Sequence, residues 1–502
     1  MRRKWMALLL VLVFGMVGPP VADAYKGKLT VALPGEPPTM DPNITSNTIG
    51  FMAWNWSYDT LVKSETGTGK IVPWLATKWK KLGPTKYKFW LRKGVKFTDG
   101  TPFTAAAVKY SMGRIQNPKL KSRQRAYFKP FKRIEIIDDH TFIYHQKWPD
   151  NGLFTRLHRQ FLIISPKTKG IPKAKIARNT FGSGAYILKS WTRGTKMVFE
   201  ANPNWWGNSR YPDRPKTLVL RRIVEQTTRV KALLRGEVDL IWRIAPQFFP
   251  QIKQHPDRKL YMVPSVRIFY LSFGTRFGGP FADRKVRLAA NYAIDGEKIR
   301  RTILKGVGGS PYGQMYHPWS FSGYNPKKKW WGYDLAKAKK LMKESSYPNG
   351  FKATLITSHG LYPFDKATCE ATSDMLGKIG IDTKCRAVNW PLYRKLFTAY
   401  QYKKEDPVMF FRGWGNSQGD SSNVVRGTSS CKGVWSVACF SELDALNEKA
   451  ARTSDPKEQQ ALFESVTEKM KQLAIHKVYF KMVDSYAVRK DLKFVPRHDA
   501  ML

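Results

Sequence analysis

The chain has 502 residues, carries 86 Lys plus Arg against 38 Asp plus Glu, and has a formal net charge of +48. That length exceeds the roughly 250–300 residues at which one hydrophobic core usually divides, so two or three lobes are expected. So basic a surface attracts anions, yet the charges are dispersed singly, as in KLGPTKYKFWLRKGVKF, with no zinc-finger, KH or RRM signature, which argues against a nucleic-acid-binding module.

The first 24 residues read as an export signal. Arg2, Arg3 and Lys4 form a positive start, Trp5 to Val17 is an apolar stretch too short to span a bilayer, and small Ala22 and Ala24 occupy the positions that signal peptidase reads. Cleavage after Ala24 leaves 478 residues with a charge of +46, because the removed segment holds three basic residues and one acidic one. No cysteine follows the apolar stretch, and Gly18, Pro19 and Pro20 disfavour an uncleaved membrane helix. The expectation is a periplasmic protein without a lipid anchor.

From there strands and helices alternate. KLTVAL reads as a strand stopped by Pro34, and KYKFWLRKGVKF places Tyr87, Phe89 and Leu91 on one face before the Asp99-Gly100 turn. Thr104 is expected to cap a helix through AAAVKYSM, and Asp334 one through LAKAKKLMKES, each offering a side-chain oxygen to first-turn amides. RVKALLRGEVDLIW reads as a helix ended at Gly236 and followed by a strand. The pattern is α/β with α+β elements, without internal repeats.

Four cysteines in an exported chain suit an oxidising compartment, and their pairing allows three connectivities. The helical stripe Cys369, Thr372, Leu376, Ile379 and the returning strand Ile381, Thr383, Cys385 put Cys369 and Cys385 at the same end of one unit. Cys431 and Cys439 then close the short loop CKGVWSVAC, with buried free thiols as the competing reading.

Motifs for chemistry are mostly absent. TGTGK at 66–70 has Ser64 where a phosphate loop needs its first glycine and Ile71 where magnesium needs a hydroxyl, so it reads as a polar turn. His140 and His145 lack a metal-ligand pattern, and FGSGAY at 181–186 lacks the spacing of a nucleophile elbow. No enzymatic activity, metal or cofactor is expected.

A family pattern emerges from ordered segments: LTVALPGEPPTMDP, VPWLATKWKKL, KFWLRKGVKFTDGTPFTAAAVKYSM, FGSGAYIL, NPNWWG, LLRGEVDLIW, FADRKVRLAANYAIDGEKI and YDLAKAKKLMKESSYPNGF. Together they resemble the bacterial extracellular solute-binding proteins of family 5, the peptide, opine and nickel group serving ABC importers. The resemblance implies a periplasmic binding protein-like two-lobe clamp with an additional third lobe. Residues 25–63, 184–264 and 484–502 would form the first lobe, 64–183 the second and 265–483 the third, with a hinge near Pro264 and Val483.

The resemblance also places a pocket. FFRGWGNSQGDSSNVV, residues 410–425, resembles the family's pocket segment, in which peptide binders carry an aspartate three positions after the tryptophan to hold the peptide's amino terminus. Here that position is Ser417, which carries no charge to hold an amine; Asp420 or Glu36 would be the substitutes. Arg412 is a candidate grip for a carboxylate or phosphate, or equally a surface or interlobe charge. Trp414 and Trp435 are candidate pocket walls, with core packing as the competing role, especially for Trp435 between its two cysteines. SVRIFYLSFGT matches a strand entering the pocket, which nominates Tyr270, although Gly274 replaces the family's usual asparagine; Met40 is nominated for the rim.

The function so implied is the substrate-binding component of an ABC importer, a monomer that captures a small peptide-like or opine-like solute, possessing no enzymatic step, and delivers it to permease subunits. A metal chelate or an oligosaccharide is the second ligand class. A basic envelope-associated structural protein and a periplasmic hydrolase are the competing functions of other classes.

Overall fold

A computed structural model describes residues 27–66, 69–310, 313–318, 322–359, 361–362, 364–398, 407–416, 419–433, 435–497 and 499. The expected export signal at 1–24 and Ser417 lie outside the described residues. Alternating apolar residues build one ten-stranded sheet. Its order is Ile381–Val388, Phe351–Ser358, Val408–Gly415, Arg258–Phe273, His476–Arg489, Leu240–Trp242, Lys28–Leu33, Thr217–Arg222, Lys196–Ala201 and Tyr186–Thr192.

Two strands in the middle of that order are unusually long. Arg258–Phe273 has 16 residues and His476–Arg489 has 14, and they pair antiparallel from Arg258 opposite Arg489 to Ser272 opposite His476. The ladder shifts register between Pro264 and Ile268 and again between Phe269 and Tyr270. Proline lacks the N–H that a ladder needs, and a register shift bends and twists the strands locally.

The two halves flanking the long strands are built alike. In one, Lys28–Leu33 runs parallel to Thr217–Arg222 and Leu240–Trp242, and helix Gln226–Leu234 makes a crossover. In the other, Phe351–Ser358 runs parallel to Ile381–Val388 and Val408–Gly415, with helix Asp365–Gly377 in the corresponding role. Each half buries its own core, the first around Leu33, Trp54, Trp242 and Tyr486, the second around Phe269, Leu271, Leu355 and Phe411. A separate four-stranded antiparallel sheet, Ala76–Gly83, Lys86–Leu91, Thr141–Gln146 and Phe131–Asp138, packs a third core of Phe89, Leu91, Val108, Met112 and Phe142.

Local chemistry explains the element ends. Asp334 accepts from the Lys337 amide at 2.9 Å and starts helix Leu335–Lys343. Thr104 occupies the N-cap position of helix Ala105–Gln116, but its side chain makes no capping hydrogen bond. Gly236 closes its helix at φ 75°, a left-handed conformation open to glycine. The disulfides join Cys369 to Cys385, as the helix-and-return geometry favours, and Cys431 to Cys439 across the short loop, with Cα separations of 5.8 and 4.2 Å.

The four-stranded region is tied to the C-terminal helices by buried charge. Arg156, in helix Leu153–Leu157, donates to Asp150 and to Asp420 at 2.5 Å. Asp420 also caps helix Ser421–Thr428 through the Ser422 amide at 3.0 Å, and it accepts from the Ser422 hydroxyl at 2.6 Å. Beside it Asn151 donates to Gln459 Oε1 at 3.0 Å. Burial alone would raise the Asp420 carboxyl, but Arg156, Arg426 and the Ser422 hydrogen bonds bring it below the ordinary value.

Two outcomes are expected. Asp420→Asn leaves Arg156 one carboxylate short and should cost about 3–5 kcal/mol in urea unfolding; a loss below about 1 kcal/mol would show that the triad adds nothing beyond a surface ion pair. Lys477, 2 % exposed, donates its Nζ to the Asn291 carbonyl at 2.8 Å. Burial pushes its ammonium from 10.5 down to about 7, with Asp295 opposing. The unfolded chain therefore binds the extra proton across that interval, so stability should rise as pH climbs from about 7 towards 10.5. Lys481, lowered to about 8 by burial, adds to the slope. Melting temperatures of Lys477→Met across this range should show a shallower rise than the parent protein.

Candidate functional site

In open sheets with parallel strands, ligands lie outside the carboxyl ends of those strands. Here those ends are Leu33 and Trp242 in one half and Ser358, Val388 and Gly415 in the other. The residues just beyond them meet. The Arg243 guanidinium, following Trp242, lies 5.3 Å from the ring centre of Tyr362, which follows Ser358. Arg267, on the long strand, lies 5.7 Å from the same ring. A small cleft adjoins them, lined by Arg243, Ile244, Phe249, Leu304, Phe364 and Phe480, so both halves contribute walls.

Arg243 is held by its backbone. Its φ is 56°, in the left-handed region that a branched or bulky residue seldom adopts. Its amide donates to the Ser485 carbonyl at 2.9 Å, and its carbonyl accepts from Gln226 Nε2 at 2.7 Å and Arg229 Nη2 at 3.3 Å. Such strain costs of order 1–3 kcal/mol and persists where the surroundings over-determine it. The guanidinium lies 3.9 Å from the Trp242 ring centre, and its Nε has no hydrogen-bond partner. Burial first, then the neighbouring Arg267, lowers its pKa, while Asp484 opposes the shift. Asp484 is itself 2 % exposed, with Oδ1 unpartnered.

Arg267 extends towards Tyr362 across two glycines. It donates to the Gly413 carbonyl at 3.3 Å, and a Cβ on Gly415 or Gly413 would come within 2.9 and 3.0 Å of its side chain. The spacing Arg-Gly-Trp-Gly thus leaves one face of the strand bare for this side chain. Among the described residues neither Arg243 nor Arg267 forms an ion pair.

The residues singled out from sequence fall into two groups. Strand Val408–Gly415 pairs antiparallel with Arg258–Phe273, placing Arg412 opposite Tyr270 and Trp414 opposite Ile268. The Arg412 guanidinium lies 5.6, 6.0 and 5.9 Å from the ring centres of Tyr270, Trp414 and Trp435, and it donates to the Trp435 carbonyl. These four residues are brought together, with Arg412 serving as the cation inside an aromatic cage. Burial pushes the Tyr270 hydroxyl up to about 12 against the pull of Arg412, and the hydroxyl has no hydrogen-bond partner. Trp414 is half-buried with its Nε1 unpartnered, and its ring occupies the space a Cβ on Gly427 would take. Trp435 stacks on Trp390 at 6.1 Å.

The other group lies elsewhere. Met40 is fully buried among Val31, Leu33 and Trp54, so it is a core residue and not part of a rim. Asp420 is committed to Arg156 and Ser422 and does not stand ready to receive a ligand amine. Glu36 accepts from Trp191 Nε1 at 3.1 Å and the Gly194 amide at 3.0 Å.

Arg243, Arg267, Tyr362 and Asn416 escaped the sequence reading. Asn416, 3 % exposed, has no partner for either side-chain polar atom. A usable signal existed in two cases: Arg267 interrupts an otherwise apolar strand run, and Arg243 directly follows a short buried strand. Nothing in the order of residues marks Tyr362.

The arrangement is suited to binding. A serine and a histidine do pair, Ser429 Oγ to His476 Nε2 at 2.8 Å, but both are fully buried and burial lowers His476 to about 3. That imidazole stays neutral beneath Tyr270, out of reach of a substrate. Among the described residues no three His, Cys, Asp or Glu side chains cluster as a metal site, and no helix is long and apolar enough to cross a membrane.

Comparison with known proteins agrees with the architecture. The sequence profile for bacterial extracellular solute-binding proteins, family 5 middle, matches residues 70–436. The glutathione-binding protein GsiB of Pectobacterium atrosepticum is 27 % identical over 392 residues, covering 76 % of this chain and 75 % of that one. The periplasmic binding protein DppA of Helicobacter pylori, solved with the peptide STSA, superposes with a TM-score of 0.82 at 26 % identity, covering 94 % of this chain and 95 % of that one. AgaA of A. tumefaciens, solved with agropinic acid, gives 0.81 at 25 % identity, with 94 % and 97 % covered. With the profile spanning most of its length and the two-half sheet in place, the chain belongs to the bacterial extracellular solute-binding proteins of family 5.

Proposed function

We propose that this protein is the periplasmic binding component of an ABC importer, exported through cleavage after Ala24 and acting as a monomer. It captures a small peptide-like or opine-like solute and presents it to membrane permease subunits, without a catalytic step. The observation that carries the reading is the approach of Arg243 and Tyr362 from opposite halves of the sheet, at the carboxyl ends of parallel strands. Glutathione, peptide and opine ligands in the related proteins fit the same solute range.

The working motion follows from the long strands. Residues 25–63, 184–264 and 484–502 form one lobe, 64–183 a second and 265–483 a third. The first and third close about the stretch where Pro264 pairs with Val483 next to the register shift. Solute touching both lobes favours the closed state by its differential contacts, which is how a binding protein signals occupancy. Ser417 stands where peptide binders of this family carry the aspartate that holds an amine, so a free amino terminus is not the feature this clamp selects.

Tryptophan emission should report binding, since Trp414 is half-buried with an unpartnered indole N–H. Titration with glutathione and with trialanine should change the emission, and Trp414→Ala should weaken whichever binds by about tenfold, roughly 1.4 kcal/mol. Gly427→Ala, whose new methyl group displaces the Trp414 ring, should do likewise. Unchanged affinity in both variants would remove this segment from the pocket.

A further inference from the structure

Arginines drawn into the interior of this protein are usually matched, and two half-buried ones are not. Arg156 is matched by Asp150 and Asp420, and Arg114 by Asp41. Arg287 spends its donors on the carbonyls of Phe281, Ala282 and Leu473, and Arg229 on those of Ile223, Val224 and Arg243. Arg243 and Arg267, by contrast, have one backbone hydrogen bond between them, from Arg267 to Gly413. They repel each other, and both face the single ring of Tyr362.

We propose that Arg243 and Arg267 form a two-part oxyanion site which takes a carboxylate of the solute, so that the solute's negative charge, spanning the two lobes, is what holds the clamp closed. The proposal rests on the reading of this cleft as the solute site, and it specifies what is selected there. A carboxylate has two oxygens with about four lone-pair sites, enough to accept from two guanidinium groups at once. Arg243 belongs to one half and Arg267 lies within the register-shifted stretch just past Pro264, so a bridging anion replaces a repulsion between lobes with an attraction.

Two details of the surroundings refine the solute class. Asp484 attracts Arg243 yet makes no hydrogen bond through Oδ1, so it counts as one negative charge against two positive ones and leaves room for an added anion. Beyond Arg243 the cleft is apolar, lined by Ile244, Phe249, Leu304 and Phe480. The expected solute is a small acid whose carboxylate adjoins an apolar substituent, and the locked left-handed backbone of Arg243 keeps the guanidinium aimed at the carboxylate before it arrives.

The test uses the full protein, unfolded and refolded with its disulfides intact to strip retained solute. Two matched pairs serve as probes: N-acetyl-trialanine with its carboxamide, and glutarate with glutaramide. Melting temperature and tryptophan emission should respond to the acids and not to the amides at ten times the concentration. Arg243→Gln and Arg267→Gln should each weaken acid binding tenfold or more, Arg243→Lys less than Arg243→Gln, and Arg267→Gln should not lower the solute-free melting temperature, because it relieves a repulsion. Amides binding as tightly as acids, or Gln variants binding like the parent, would overturn the oxyanion site; if that binding were still lost in Phe249→Ala, which alters the cleft wall, the cleft assignment would survive it. Absence of any Phe249-dependent binding across all four probes would count against both.

Discussion

The ladder between Arg258–Phe273 and His476–Arg489 carries the rest of the structure. Because these two strands run through both halves, each α/β unit is completed by backbone hydrogen bonds to the same pair of chains. Most of the ladder is continuous and antiparallel, a stiff connection; the interruption around Pro264 is the place where it has lost hydrogen bonds and gained bend. A clamp needs both properties at once. The lobes must stay in register, and they must rotate about a small number of residues.

That constraint also decides where charge is tolerated. A guanidinium taken out of water requires a partner, and this protein supplies one in several ways: carboxylates for Arg156, backbone carbonyls for Arg287, an aromatic cage with a carbonyl for Arg412. Each solution lies within a packed region. Arg243 and Arg267 stand where the two halves meet, and among the described residues neither has a carboxylate partner.

Glycine positions show how closely the backbone is fitted to these side chains. Arg267 lies over Gly413 and Gly415, and the Trp414 indole lies over Gly427, so the alternation that makes the strand apolar on one face leaves space on the other. Substituting any of them fills space that a neighbouring side chain already uses. The short helix holding Gly427 is started by Asp420, which links this strand-and-helix packing to the Arg156 triad and so to the four-stranded region.

Much of the fold was legible along the chain because its causes are local. Alternating residues in Lys86–Leu91, the Asp334 cap, the Gly236 stop and the helix-and-return that pairs Cys369 with Cys385 depend on neighbours a few residues away. The order of such segments also identified the family. The site was legible only in part: Tyr270, Arg412, Trp414 and Trp435 do come together, because a single pair of adjacent strands and one disulfide loop position them. Met40 and Asp420 were misplaced for a physical reason, since the Met40 amide is held by the Ala177 carbonyl and Asp420 by Arg156, partners over a hundred residues distant. By itself the sequence determined the elements, the disulfide units and the family; the tertiary structure decided which arginines are neutralised, because charge compensation depends on distance in space, and Arg243, Arg267 and Tyr362 are adjacent only there.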